Sequence, residues 1–259
     1  MNTKINEAVN ILKKGGLIAF PTETVYGLGA DANNEDAILR IFKTKKRPLF
    51  NPLICHFKDV YSVKKQVKFN KFAEMLSNEF WPGPLTLVLK KNSNCSISKL
   101  ASAGLDTLAC RIPSNEISLK ILNIFNGVIA APSANISTKL SSTCKEHVIK
   151  NFGKKIFIID GGLTNYGIES TVIDLSNNIP RILRPGAIEN KSIKKIIPNL
   201  ITSIKSKKII SSPGQLKKHY SPNIPIRLNV KNVKNNEALL NFGKNKLKSD
   251  IKELNLSIN

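Results

Sequence analysis

Short apolar runs, each cut off by proline, glycine or a polar residue, alternate along this chain with stretches whose apolar residues recur at helical spacing. Leu17-Ile18-Ala19-Phe20 ends at Pro21. Further runs at 52–57, 85–89, 108–112, 128–131, 156–159, 171–175 and 181–183 read as strands, that at 85–89 as a buried one. Residues 1–15 carry Ile5, Ala8, Val9, Ile11 and Leu12 on one helical face and close at Gly15-Gly16. Asn34 is placed to cap a helix through Ala37, Ile38, Ile41 and Phe42, with Glu35 and Asp36 in its first turn. Residues 69–80 and 117–125 read as helices too. The mixture predicts an α/β fold, or α+β with a mixed sheet.

The chain has 259 residues, 41% of them apolar, enough for one large domain with a small appendage. The composition changes after Ile188. Lys, Ile and Ser dominate 189–212, and Pro213-Gly214 with His219-Tyr220-Ser221-Pro222 marks a linker. Beyond it a strand at 224–230 and a short helix at 237–242 are expected. The expected division is a catalytic domain at 1–205, a linker or lid at 206–222 and a C-terminal segment at 223–259, too short for a core of its own. No apolar run reaches the ~18 residues of a membrane span, and the start lacks the pattern of a signal peptide. A soluble, cytoplasmic protein is expected.

The net charge is +22, from 34 lysines and six arginines against 18 acidic residues. Such a field attracts nucleotides and RNA; a plain lysine bias explains it equally well. Lysine supplies only a point charge, whereas arginine offers a planar fork to carboxylate or phosphate, which singles out Arg47, Arg111 and Arg184. Cys55, Cys95, Cys110 and Cys144, with His56, His147 and His219, lack the spacing of a zinc site and read as free thiols and scattered imidazoles.

Neither common phosphate-loop pattern is present. Lys45-Lys46-Arg47-Pro48 reads either as a solvated basic helix end or as a polyphosphate clamp. Ser133-x-Asn135 and Thr22-Glu23-Thr24 read either as capped turns or as hydroxyls and amides presented to a ligand. His56 reads as a structural histidine or a ligand contact. Asp106 and Arg111 flank one strand and are candidates to pair with each other.

In combination these residues resemble the Sua5/YrdC family. Pro21-Thr22-Glu23-Thr24-Val25-Tyr26-Gly27-Leu28, then Lys45-x-Arg47-Pro48-x-x-Asn51-Pro52-Leu53-x-x-His56, is similar to the family's start. Phe80-Trp81-Pro82-Gly83-Pro84-Leu85-Thr86 resembles its central motif. Gly104-Leu105-Asp106-Thr107 with Arg111-x-Pro113, Ala131-Pro132-Ser133-Ala134-Asn135, Gly167-x-Glu169-Ser170-Thr171 and Arg184-Pro185-Gly186-Ala187-Ile188 follow in order. The linker and residues 237–243 resemble the Sua5 form, with a C-terminal domain shorter than the family's. Asn115 stands where the family has histidine, and Ser141-Ser142-Thr143 where it has Ser-Pro-Thr.

The resemblance implies a twisted mixed sheet with flanking helices around a concave nucleotide-binding cavity. It implies a nucleotidyltransferase that joins L-threonine, bicarbonate or CO2, and ATP into threonylcarbamoyl-AMP and pyrophosphate. The product passes to a tRNA threonylcarbamoyl transferase for threonylcarbamoyladenosine modification of tRNA. By resemblance Lys45, Arg47, Ser133 and Asn135 are catalytic. Thr24, His56, Arg111, Ala131 and Ser170 hold L-threonine, with Arg111 as the carboxylate fork. Arg47, Asn51, Thr107, Ser133, Ser141, Arg184 and Tyr220 hold ATP, with Tyr220 as a lid. Mg2+ is expected on the ATP phosphates and water rather than on protein ligands. Three alternatives stand beside this reading: an RNA-binding module, an enzyme using carbamoyl phosphate like the YrdC-like domains of hydrogenase-maturation proteins, and an inactive remnant.

Overall fold

The computed structural model describes residues 2–202, 224–244 and 247–256. The chain divides into two compact units, Met1–Ser221 and Pro222–Asn259. In the first, helix α1 (Asn2–Lys13) leads to strands β1 (Ile18–Phe20) and β2 (Gly27–Asp31), then α2 (Glu35–Lys45) and β3 (Ile54–His56). Helices α3 (Val60–Gln66) and α4 (Lys71–Phe80) precede β4 (Leu85–Lys90) and β5 (Thr107–Arg111). Then come α5 (Glu116–Phe125), β6 (Ile129–Ala130), α6 (Lys145–Phe152), β7 (Phe157–Ile158), β8 (Thr171–Asp174), β9 (Arg181–Arg184) and α7 (Asn190–Ile196). Strands β1–β9 form one mixed sheet in the order β7-β1-β2-β6-β3-β5-β4-β8-β9.

Helices α2, α4 and α5 start where asparagine side chains cap them. Asn34, Asn70 and Asn115 accept from the free amides of Ala37, Ala73, and Ile117 with Ser118, respectively. Asn115, the residue that departs from the family pattern, is thus the cap of α5. Helix α1 stops at Gly15, whose φ is +73° and whose amide donates to Leu12 O at 2.9 Å.

Strand β2 is absent from the strands expected from sequence, because glycine disfavours strand interiors. Packing accounts for it. A Cβ at Gly29 would lie 2.7 Å from Phe20 Cε1 and 2.8 Å from Ile129 Cγ2. The glycines let β1, β2 and β6 approach their neighbours closely.

Alternation along the central strands separates two faces. Cys55 of β3, Leu87 and Leu89 of β4, Leu108 and Cys110 of β5 and Ile173 of β8 join the large core with α2 and α4. Their neighbours Ile54, Val88, Ala109 and Val172 form a separate small cluster with Leu183. Helices α1 and α5 pack Ile5, Val9, Leu12, Ile121 and Leu122 against Ile18, Phe20 and Ile129. Cys55 and Cys110 carry free thiols, which burial pushes well above the ordinary range.

The second unit departs from expectation in two places. Residues 224–230 form no strand. Residues 239–241 form strand β10 (Leu239–Asn241) rather than a helix, paired in parallel with β11 (Glu253–Asn255). Buried Leu239, exposed Leu240 and buried Asn241 follow strand alternation, and long-range pairing overrides the local helix preference. The expected linker at 206–222 lies outside the described residues.

Candidate active site

On the small-cluster side of the sheet lies a cavity that opens to solvent. Its wall follows from strand parity. Ile54 and His56 share one face of β3, and Arg111 lies beside His56 in the parallel β3–β5 register. Ala131, Pro132 and Ser133 enter from the turn after β6, Thr22 and Thr24–Tyr26 from the turn between β1 and β2, Gly27 from the start of β2, Glu169 and Ser170 from the approach to β8, and Arg184 from the end of β9. Helix α2 ends in a left-handed Lys46, φ 52°, and Arg47 just beyond lines the cavity. Three of the chain's six arginines thus meet at one wall.

Each arginine is held from behind. Arg47 donates from Nε to Asn51 O at 3.0 Å, and from Nη2 to Asn51 Oδ1 at 2.7 Å and Pro52 O at 2.8 Å. Arg111 donates from Nη2 to Glu23 Oε1 at 2.5 Å and to Thr24 Oγ1 at 2.9 Å, and from Nε to Gly83 O at 3.3 Å. Arg184 pairs with Glu169 and donates from Nε and Nη2 to Ser170 O at 3.0 and 2.9 Å. Its Nη2 also reaches Ser170 Oγ at 3.0 Å, and that hydroxyl lies 2.8 Å from Thr86 Oγ1. Neither Nη1 of Arg47 nor Nη1 of Arg111 has a hydrogen bond among the described residues, so both keep donors for a ligand. For Arg111 this changes the expected fork: Nε and Nη2 are engaged by protein, and Nη1 is the nitrogen left over.

Three guanidinium groups face two buried carboxylates, Glu23 and Glu169, so the wall is net positive. Burial lowers the Arg47 pKa to about 10; Glu169 opposes that shift and Arg184 adds to it. Arg47 is still a cation at neutral pH. His56 is 3% exposed and packs edge-on to Phe20 at 6.1 Å. Burial and then Arg111 push its pKa down to about 3, partly offset by the Ile129 and Ile54 carbonyls. The imidazole is therefore neutral, and its Nδ1 is buried without a hydrogen-bond partner among the described residues. The Tyr26 hydroxyl donates to Gly162 O at 2.9 Å and accepts from Gly161 N at 3.0 Å.

Of the residues expected at the site, Arg47, Ser133, Thr24, His56, Arg111, Ala131, Ser170 and Arg184 line this one cavity. Asn51 acts on Arg47, and Ser141 donates to Glu169 Oε1 at 2.9 Å. Lys45 and Asn135 lie behind the wall. Lys45 Nζ donates to the carbonyls of Ser133 and Asn135, and Asn135 Nδ2 donates to Ile136 O and Lys139 O at 2.9 and 2.8 Å. Thr107 is not brought to the cavity. It opens β5, four residues before Arg111, about 13 Å away at strand rise. Asp106 is at that same far end, and the partner of Arg111 is Glu23 instead. Tyr220 lies outside the described residues. Reasoning from sequence missed Glu23 and Glu169 as site residues. The local signal was adjacency alone, since each glutamate adjoins a residue already singled out; the need for buried counter-charges follows only once the arginines converge.

The sequence pattern of the Sua5/YciO/YrdC family, described as telomere recombination, matches residues 10–186. That of the threonylcarbamoyl-AMP synthase C-terminal domain matches residues 188–257. The chain belongs to the Sua5/YciO/YrdC family. The threonylcarbamoyl-AMP synthase of Pyrococcus abyssi is 46% identical over 231 residues, covering 86% of this chain and 67% of that protein. The Bacillus subtilis enzyme of the same name is 40% identical, covering 87% and 66%. The chain spans about two thirds of the length of these curated relatives. The crystal structure of P. abyssi Sua5 complexed with L-threonine is similar at a TM-score of 0.83 and 42% identity, covering 94% of this chain and 69% of that one. E. coli YciO, at 24% identity and a TM-score of 0.67, covering 74% and 94%, shares the fold.

Proposed function

We propose that this cavity condenses L-threonine, bicarbonate or CO2, and ATP into threonylcarbamoyl-AMP and pyrophosphate. The observation that carries the reading is the convergence of Arg47, Arg111 and Arg184 with the hydroxyls of Thr24, Ser133 and Ser170 around one cavity. An amino acid and a triphosphate ask for such a set: a cation for the carboxylate, a reader for the hydroxyl and cations for the phosphates.

Arg111 takes the threonine carboxylate through Nη1. Thr24, Ser170 and neutral His56 surround the amine and hydroxyl. A site that hydrogen-bonds a hydroxyl rejects a substrate lacking it, because its own buried polar groups are then left unpaired. The amine and bicarbonate give a carbamate and water. A carbamate oxygen attacks the α-phosphorus, forming one O–P bond as the bond to pyrophosphate breaks. Arg47, Arg184 and Ser133 face the charge that collects on the leaving group. The carbamate is already an anion, so positioning and electrostatics carry the step and no general base is needed.

Mg2+ on the ATP phosphates suits this wall. Glu169 is the carboxylate that lines the cavity, and it is engaged by Arg184 and Ser141. Among the described residues no group of three His, Cys, Asp or Glu side chains could hold a metal. Mg2+ carried by phosphates neutralises part of their charge. Delivery of the product to a tRNA threonylcarbamoyl transferase, residence in the cytoplasm where ATP and tRNA meet, and direct RNA affinity of the basic chain belong to the same proposal. No described helix is long and apolar enough to cross a membrane.

Mass spectrometry of purified protein with threonine, bicarbonate, ATP and Mg2+ tests the reading. Threonylcarbamoyl-AMP is expected only when all four are present, and no valine analogue is expected when valine replaces threonine. Absence of the adenylate from the complete mixture refutes it.

A further inference from the structure

We infer that Lys45 is a positioning residue that acts through Ser133 and does not touch the phosphates. The inference rests on the proposed reaction for its kinetic consequences only. Lys45 is the last residue of α2 and is 1% exposed. It is absent from the cavity wall, although Arg47 two residues on and Ser133 both line it. Its Nζ donates to the main-chain carbonyls of Ser133 and Asn135. Its own carbonyl accepts from Ser137 N at 2.8 Å. One residue thus clamps the 133–137 turn at three points, joining the helix that places Arg47 to the turn that places Ser133.

The chemistry of the clamp fits this role. Two carbonyls with no carboxylate are poor company for a buried ammonium. Burial, and then Arg47, push the Lys45 pKa well below its usual range, against Glu169. A neutral amine has two N–H donors, enough for the two carbonyls, so the clamp holds whichever protonation state prevails. A phosphate ligand would instead need the charge kept and the donors free.

The test uses Lys45→Met, which removes every donor, and Lys45→Gln, which keeps two N–H groups on a slightly shorter arm. ATP and AMP affinities are measured by calorimetry, and turnover by pyrophosphate release. Lys45→Met should lower the ratio of ATP to AMP affinity by no more than Ser133→Ala does, within about twofold, while turnover falls on the order of a hundredfold. Lys45→Gln should recover part of that loss. Lys45→Met combined with Ser133→Ala should be no slower than Ser133→Ala alone, within about threefold, because both act through one group. Hydrogen exchange of the 133–137 amides, without ligand, should speed up in Lys45→Met while the 47–52 amides keep their rates. A loss of ATP affinity relative to AMP about tenfold greater than that caused by Ser133→Ala would overturn the inference. So would multiplicative effects of the two substitutions, or unchanged exchange at 133–137. If wild-type protein releases no pyrophosphate, the functional proposal fails, while the exchange measurement still decides the role of Lys45.

Discussion

Glu23 and Arg111, 88 positions apart in sequence, form a buried ion pair at 2.5 Å. Glu23 also accepts from Ser114 N at 3.0 Å, so its carboxylate ties the turn after β1 to the chain beyond β5. The pair holds the guanidinium proposed to take the amino-acid carboxylate. Removing one partner of a buried pair strands the other, which usually costs about 3–5 kcal/mol.

Glu23→Ala should therefore lower stability by about 3 kcal/mol and raise the KM for threonine, leaving that for ATP within about twofold. Glu23→Gln, which keeps a hydrogen-bond acceptor, should do both less. Chemical denaturation and steady-state kinetics check the pair. Equal rises in both KM values would detach Glu23 from the threonine end.

Arg111→Lys keeps the charge but loses the donors to Gly83, Glu23 and Thr24. The KM for threonine should rise about a hundredfold and that for ATP about twofold or less. A matching loss for ATP would show that Arg111 serves both substrates.

Arg47→Ala should reduce pyrophosphate release by a factor on the order of a hundred or more, as loss of a preorganised donor does. Asn51→Ala should cost less, about tenfold, because Asn51 O and Pro52 O still hold the guanidinium. If Asn51→Ala were as damaging as Arg47→Ala, Asn51 would have to contact the nucleotide itself.

His56 gives a pH prediction. Its folded pKa of about 3 lies below the ordinary 6.5, so between those values the unfolded chain binds a proton that the folded one excludes. Its contribution is intact above pH 6.5 and is lost as the pH falls toward 3. Between pH 7 and 5 the wild type should lose about 2 kcal/mol more than His56→Gln. Denaturant titrations at both pH values measure the difference, and parallel losses would mean that His56 is protonated in the fold.

Gly186 packs against backbone: a Cβ there would lie 2.4 Å from Glu169 O, Ser170 C and Thr171 N. Gly186→Ala must push β8 and the approach to it away from Arg184. A stability loss above about 3 kcal/mol is expected, with turnover reduced even where the protein stays folded. Wild-type stability and rate would show that the backbone yields freely.

What the sequence determined by itself was local. The cap at Asn34, the Gly15 stop and the apolar runs of β4, β5 and β8 depend on neighbours a few residues away, so helices and strands were legible from spacing. The ordered motifs likewise named most of the cavity wall, because motif residues sit at strand ends and turns. Pairing across the fold was decided elsewhere. Nothing local told that Arg111 would choose Glu23 over Asp106, that Glu169 would sit between Arg184 and Ser141, or that Lys45 would turn inward to two carbonyls while Arg47 turned to the cavity. Strand β2 emerged only where Phe20 and Ile129 left room for glycine alone, and residues 239–241 became a strand only by pairing with Glu253–Asn255. Each of these outcomes is fixed by desolvation and close packing between distant segments, which exist only once the sheet has formed.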